Sequence, residues 1–199
     1  MSITNGYVTL AEIKEWLTIP SSDALDDQLL ERAVEASSRA IDDVCGRRFY
    51  ADTTASARRF RPADSCLLQL PDISSTTGLL VKLDDNADGT FEVTVASSDY
   101  QVEPSYVENT AFTAIRLLER CWPHDIRGRY LIEITAKWGW PTVPTAVKQA
   151  TLILASRVFK RKNSPEGVLS FADAGVIRVS ATDRDVQALI QPYVLIGFA

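Results

Sequence analysis

WGWPTVPTAVKQATLILASRVFKRK, residues Trp138 to Lys162, runs from the end of a strand through a turn into a strongly apolar helix. Gly139, Pro141 and Pro144 mark the turn. Pro144 suits a first helical turn, where its missing N–H costs nothing, so a helix is predicted to start about there with Thr142 or Val143 just outside. Val147, Ala150, Leu152, Ile153, Leu154, Ala155, Val158 and Phe159 then cover most of the helix circumference rather than one stripe. A helix of that kind is buried on more than one side. Arg157, Lys160, Arg161 and Lys162 gather in its last turn, where cations suit the helix dipole, and Asn163, Ser164 and Pro165 stop it. In a small chain such a helix needs neighbours from its own fold and from another copy, which makes Leu152, Leu154, Val158 and Phe159 the candidates for packing between subunits.

Upstream of this helix the pattern changes twice. Thr9 and Glu12 have the spacing of a capping box, opening a short helix through Ile13, Trp16 and Leu17 that Pro20 closes. Ser22 or Asp23 is expected to cap a longer helix, with Leu25, Leu29, Ala33, Val34, Ser37, Ala40, Ile41 and Val44 on one face and Gly46 ending it. From Phe49 to Trp140 the periodicity becomes alternating, in short runs separated by polar and Gly/Pro residues. Leu67–Leu70, Leu79–Leu83, Phe91–Val95, Tyr100–Glu103, Phe112–Leu118 and Tyr130–Lys137 are the expected strands. In the last, Ile132, Ile134 and Ala136 alternate with Glu133, Thr135 and Lys137, the mark of a sheet wet on one side. Beyond the apolar helix, a loop with a short strand at Val176–Val179 leads to a helix capped by Thr182 or Asp183, with Val186, Leu189 and Ile190 inward and Pro192 distorting its end. An apolar tail closes the chain: Val194, Leu195, Ile196, Phe198 and Ala199. It reads either as a last strand of its own fold or as a peptide that docks on a partner.

The expected fold is therefore α+β: a helical bundle formed by the N- and C-terminal helices with an inserted antiparallel β segment. Residues 1–48 and 141–199 make the helical body and residues 49–140 the inserted β subdomain. Two independent domains meeting near residue 48 are the alternative arrangement.

At 199 residues the chain is long enough for a real core, and its net charge of −5 argues against a broad basic face that grips nucleic acid. Such a balance suits a protein that DNA passes without sticking. No apolar run approaches the ~20 residues of a membrane span, and the opening, with Ser2, Thr4, Asn5 and Gly6, lacks the parts of a signal peptide, so a cytoplasmic chain with no membrane contact is expected. Cys45, Cys66 and Cys121 are odd in number and without metal spacing, which favours buried thiols over disulfides or zinc.

Motifs that carry chemistry are sparse. Asp84, Asn86, Asp88 and Gly89 match the opening of a calcium loop, but Val95 stands where a bidentate Glu is required and the flanks read as strands, so a β-turn is the better account. His124 is the single histidine, without a nucleophile-elbow sequence to serve it. No catalytic site, metal or cofactor is expected. Two basic clusters remain, Arg157 with Lys160, Arg161 and Lys162, and Arg47 with Arg48, Arg58, Arg59 and Arg61. Helix-end complementation and an interface explain the first equally well; the second could pair with the acidic β segment of the same or a neighbouring subunit, which holds seven acidic residues and no Lys or Arg between Asp84 and Glu108.

In combination, Tyr7–Leu17, the Asp23–Phe49 helix ending in Cys45, Gly46, Arg47, Arg48 and Phe49, the Trp138–Lys162 stretch with Ser164–Phe171, and the Asp183–Tyr193 helix resemble the head–tail connector (adaptor or head-completion) proteins of tailed double-stranded DNA bacteriophages. The resemblance covers both ends of the chain, and the segment from about Ala51 to Lys137 looks like that of the longer members. It implies a structural protein and not an enzyme: a ring of copies, commonly twelvefold, beneath the portal protein in the virion neck, assembled in the host cytoplasm. Such a ring extends the channel for double-stranded DNA and offers a platform for a downstream neck or tail-completion protein. On that reading Val194, Leu195, Ile196 and Phe198, with Arg157, Lys160, Arg161 and Lys162, are the candidates for portal or neighbour contacts. A cytoplasmic protein–protein adaptor outside any virion, binding through its acidic β segment, is the competing reading.

Overall fold

The computed structural model describes residues 3–61, 66–105, 110–123, 127–163, 168–171, 175–178 and 183–195. The chain divides into two compact units, Met1–Arg47 with Val143–Ala199, and Arg48–Thr142. No helix among the described residues is long and apolar enough to cross a membrane.

Among the described residues the first unit holds four α-helices: α1 (Leu10–Trp16), α2 (Asp27–Cys45), α3 (Thr145–Lys160) and α4 (Arg184–Ile190). The capping box at α1 is present in both directions. The Thr9 hydroxyl accepts from the Glu12 N–H at 3.2 Å, and the Thr9 N–H donates to Glu12 Oε2 at 2.6 Å. That donated N–H, helped by the Thr9 hydroxyl and the Lys148 ammonium, holds the Glu12 carboxyl below its ordinary range against the opposing effect of burial. A carboxyl whose folded pKa is depressed stabilises the fold above its unfolded pKa, and this contribution is lost as pH falls through the folded value. Thr9→Ala is expected to cost about 1 kcal/mol at neutral pH. Denaturant titration should find the gap between wild type and Glu12→Gln narrowing in acid; a gap that widens there would contradict the capping role.

Helix α2 begins later than its sequence suggests. Asp23 is spent on a turn, its Oδ1 accepting from the Leu25 N–H at 3.1 Å while its carbonyl accepts from Lys14 Nζ at 2.8 Å, and the helix starts at Asp27 without a side-chain cap. The buried face shifts accordingly to Leu30, Ala33, Val34, Ser37, Ser38, Ile41 and Cys45. Leu25 (87% exposed) and Val44 (58%), expected inside, lie at the surface. Ser38 belongs to the core because its hydroxyl is satisfied twice, donating to the Val34 carbonyl at 2.8 Å and accepting from the Tyr7 N–H at 3.1 Å. Gly46 terminates the helix in the left-handed conformation that favours glycine. The core of this unit is Val8, Ile13, Leu30, Ala33, Val34 and Ala155, with Leu152 and Phe159 packed against it.

The second unit is a six-stranded, fully antiparallel sheet of β1 (Ser56–Phe60), β2 (Leu67–Leu83), β3 (Val93–Val95), β4 (Tyr100–Glu103), β5 (Phe112–Leu117) and β6 (Ile132–Trp138), in the order β1-β6-β2-β5-β4, with β3 also on β2. Val81 pairs with Ile134 and with Val95, and Ile73 with Trp138 and with Phe112, so β2 is the spine between β6 and the pair β3 and β5. The sheet dominates the molecule. This overturns the expectation of a helical bundle carrying an inserted β segment, although the class remains α+β. Two physical reasons account for the difference. Ser74–Gly78 reads as a break between two strands, but the chain absorbs it as bulges within one strand, with Thr76, Thr77, Gly78 and Leu79 of β2 set against Ala136 alone on β6. Strand β1, Ser-Ala-Arg-Arg-Phe, lacks apolar alternation because it is an edge, where charge is tolerated.

On β6 the expected alternation is present, Ile132, Ile134, Ala136 and Trp138 buried between half-buried Glu133, Thr135 and Lys137. Trp138 and Trp140 are core aromatics. Trp138 Nε1 donates to the Ser56 carbonyl at 2.8 Å, and Trp140 meets Phe49 with ring centroids 5.4 Å apart.

Two further strands, β7 (Val168–Phe171) and β8 (Gly175–Arg178), form a separate antiparallel hairpin between α3 and α4. The first of these strands lies outside the set that the sequence predicts.

Candidate assembly interface

The candidate residues lie on α3, on α4 and along the segment that follows it. The apolar helix buries Val147, Ala150, Thr151, Ala155 and Ser156, a stripe of small residues that lets α2 and α4 approach, with Thr151 and Ser156 bonding back to the Val147 and Ile153 carbonyls at 2.8 Å. The four residues expected between subunits divide. Leu152 and Phe159 pack into the unit's own core, whereas Leu154 is half-buried and Val158 is 46% exposed. The helix therefore has one face buried in its own unit and an apolar strip beside it that is incompletely covered.

The basic end of α3 divides in the same way. Arg157 Nη1 lies 2.8 Å from Asp183 Oδ2, tying α3 to the N-cap of α4, where Asp183 Oδ1 also accepts from the Asp185 and Val186 N–H groups at 3.0 and 3.4 Å. Lys162 Nζ lies 2.5 Å from Asp26 Oδ1 and 6.0 Å from the centroid of the Phe159 ring. Lys160 and Arg161 are exposed. Two of the four cations thus hold the helical unit together, and two face solvent.

After α4 the chain makes a short tight turn over Gln191–Tyr193, imposed by Pro192, and then extends. The Leu195 N–H donates to the Cys45 carbonyl at 2.9 Å, and the Leu195 side chain lies beside Gly46, 3.7 Å from where a Cβ would stand. The start of the tail is thereby fixed to the C-terminal end of α2. Val194 is half-buried and Leu195 45% exposed; Ile196 and Phe198 lie outside the described residues.

The arginines around β1 find partners within their own unit. Arg48 and Arg58 reach Asp52 at 3.3 and 3.8 Å, Arg59 reaches Glu133 at 3.3 Å, and Arg61 donates to the Tyr130 hydroxyl at 2.8 Å. Arg58 also lies over Trp138, its guanidinium carbon 4.4 Å from the ring centroid, and burial lowers its pKa. These pairings join β1 to its neighbour β6 and to Asp52 rather than to the acidic stretch that follows β2.

Among the described residues one group of acids is close enough to hold a cation, Asp84, Asp88 and Glu92, with ligand atoms within 4.8 Å of one another. Its hydrogen bonds have a structural purpose. Asp84 accepts from the Asp88 and Gly89 N–H groups at 3.1 and 2.8 Å, and Asp88 accepts from the Thr90 N–H at 2.7 Å, which holds its carboxyl below the ordinary range. The turn from β2 to β3 is built from these bonds. Of the cysteines, Cys45 is buried, with its thiol pushed up to about 11 by burial, Cys66 is half-buried and Cys121 is exposed, so the expectation of buried thiols holds for Cys45 alone. His124 lies outside the described residues.

No protein-family model matches the sequence, and no curated protein does. Solved structures do match, along the whole chain. The fold aligns with a chain in the neck of an empty gene transfer agent particle computed with C6 symmetry, at a TM-score of 0.62 and 18% identity, covering 100% of this chain and 95% of the other. It also aligns with a chain in the virion of the native gene transfer agent particle (TM-score 0.59, 19% identity, 100% and 95% covered) and with one in the neck of the native particle computed with C12 symmetry (0.55, 20%, 100% and 94%). The resemblance to head–tail connector proteins carried by the sequence is thus matched by a shared fold with chains of particle necks.

Proposed function

We propose that this chain is a structural neck protein, a head–tail connector that forms a ring beneath the portal, extends the DNA channel and joins capsid to tail. The observation that carries this reading is the alignment of the full chain, both units included, with chains of a particle neck. A partial match would fit a shared domain in unrelated proteins; a match across all of this chain and 94–95% of the others fits a shared architecture used for a shared purpose. The partners are further copies of the chain, in twelvefold number on the family's pattern, with the portal on one side and a downstream neck or tail-completion protein on the other.

Each partner has a physical counterpart in the helical unit. Val158 and Leu154 offer an apolar strip for a neighbouring copy, and Lys160 and Arg161 a pair of solvent-facing cations for an acidic surface. Arg157 and Lys162 support that surface from behind through Asp183 and Asp26. The tail is fixed at Leu195, the residue that precedes Ile196 and Phe198 in the sequence. The acidic balance of the chain suits a lumen through which double-stranded DNA slides, since few phosphates are neutralised and few counterions released. The chain acts without catalysis, in the virion neck after assembly in the host cytoplasm.

The test is removal. Particles assembled without this chain should accumulate as DNA-filled heads lacking tails, and adding the purified chain should restore tail attachment. Normal tailed particles in its absence would overturn the reading and favour an adaptor outside the virion. Lys160→Glu with Arg161→Glu is expected to reduce tail attachment about tenfold or more by setting like charges against an acidic partner. Unchanged attachment would remove these two residues from the interface.

A further inference from the structure

We propose that the two edge strands of the sheet, β1 and β4, join neighbouring copies of this chain, the basic edge of one copy lying along the acidic edge of the next. The inference rests on the ring reading above and specifies a contact by which the ring closes, using residues of the Arg48–Thr142 unit alone. β1 and β4 stand at opposite ends of the ladder β1-β6-β2-β5-β4, and among the described residues no further strand pairs with the outer side of either.

The hydrogen bonds identify the backbone groups that each edge leaves open. In antiparallel pairing one residue directs its N–H and C=O to the partner strand and the next directs both away. The Leu118 N–H donates to the Asp99 carbonyl at 3.0 Å and Tyr100 stands opposite Leu117, so Tyr100 and Val102 direct their N–H and C=O outward. At the other edge the Asp84 N–H donates to the Leu131 carbonyl at 3.0 Å, which turns the backbone groups of Ile132 toward β1. Phe60 and Arg58 therefore bond inward, and Ala57 and Arg59 bond outward. Each edge is a template for another strand.

The side chains select the occupant. Thr53–Arg61 holds Arg58, Arg59 and Arg61 and no acid, whereas Ala96–Ser105 holds Asp99 and Glu103 and no base. Two β1 edges, or two β4 edges, would set like charges together; β1 against β4 sets opposite charges together. The faces agree as well. Phe60 at one edge and Tyr100 and Val102 at the other are half-buried and pack against the same apolar core, while Arg59 and Glu103 lie on the opposite face. The intrachain bonds of these two leave capacity for more, since Arg59 meets Glu133 through Nε and Glu103 meets Arg116 through Oε1.

Alternation along the ladder gives β1 and β4 the same sense, so copies related by rotation join them in parallel. In a parallel ladder an outward-bonding residue sits between two residues of the neighbour that bond toward it. Arg59 then bonds between Tyr100 and Val102 with its side chain on the face of Gln101 and Glu103, and Phe60 extends the apolar face of Val102. Because the two edges are different surfaces, the contact is heterologous and builds a ring in which no edge is left open.

Residue-resolved amide hydrogen exchange tests the contact on the full-length chain, free in solution and in necks isolated from particles, with native mass spectrometry counting the copies. Assembly should slow exchange about a hundredfold or more at Ala57, Arg59, Tyr100 and Val102, the outward amides of both edges. Slowing at one edge alone, or at neither, overturns the contact and leaves the connector reading intact. Absence of the chain from necks overturns both. Arg59→Glu and Glu103→Arg are each expected to reduce incorporation into necks about tenfold or more, and the double variant, in which every contact regains an opposite-charge pair, to recover most of the loss. Full incorporation of both single variants, or a double variant as poor as the two losses combined, would contradict the proposal.

Discussion

Gly139→Ala is expected to break the end of the sheet and to be the most damaging single-methyl change in the Arg48–Thr142 unit. Gly139 has φ of +107°, and a Cβ built on it would stand 1.9 Å from the Tyr50 carbonyl oxygen, 2.9 Å from the Tyr50 carbonyl carbon and 3.2 Å from Ala51 Cα. Every one of these atoms is backbone, so no side chain can swing aside. The same backbone is fastened on both sides: Gly139 N–H donates to the Asp72 carbonyl at 2.7 Å, and the Asp52 N–H donates to the Trp138 carbonyl at 2.8 Å. Room for a methyl group requires breaking these bonds and lifting Trp138 and Trp140 from the core. The expected loss is about 3 kcal/mol or more, from positive-φ strain together with overpacking. Gly78→Ala is the control, since Gly78 also has positive φ (+77°) but open space around it, and its expected cost is about 1–2 kcal/mol. Guanidinium denaturation followed by tryptophan fluorescence separates the two. Equal losses would mean that the close approach of Tyr50 has no energetic weight.

Leu30→Ala carries the second large effect, in the helical unit. Leu30 is fully buried among Val8, Ile13, Ala33, Val34 and Ala155, and truncation leaves a cavity between α2 and α3 worth about 3 kcal/mol in lost transfer and packing. Leu25→Ala, only five residues earlier, should change stability by less than about 0.5 kcal/mol, because its side chain is already 87% exposed. The pair tests which face of α2 is inside. Helical circular dichroism during denaturation gives the answer, and a larger loss for Leu25→Ala would restore the face that spacing alone suggests.

That contrast also illustrates what sequence can and cannot convey. The capping box at Thr9, the left-handed stop at Gly46 and the alternation along β6 are local, each fixed by a few adjacent residues, and all three are legible in the sequence alone. The buried face of α2 is not. Its start is displaced to Asp27 by a turn that Asp23 and Lys14 hold together, and a shift of one residue rotates the helix by about 100°. The unity of β2 is hidden for a related reason, since Ser74–Gly78 has turn composition but β6 continues to pair on either side of it. Strand β1 gives no periodic signal because its arginines are placed for Asp52, Glu133 and the aromatic rings, contacts that only the assembled sheet creates.

The interface candidates divide along the same line. Composition singles out four cations at the end of α3, but only the fold separates Arg157 and Lys162, engaged with Asp183 and Asp26, from Lys160 and Arg161 at the surface. Likewise Leu152 and Phe159 are indistinguishable from Leu154 and Val158 by hydrophobicity, and packing alone assigns the first two to the core. Surfaces built from several copies of a chain leave little trace in one copy's sequence beyond an excess of apolar residues. The helix α3 has that excess.

The most direct measurement is imaging of the neck in purified particles from the source of this chain, with rotational symmetry imposed only at the final stage. The proposed connector role predicts a closed ring of this chain on the tail axis, between portal and tail. Particles whose necks contain no copy of the chain would contradict the account at its centre.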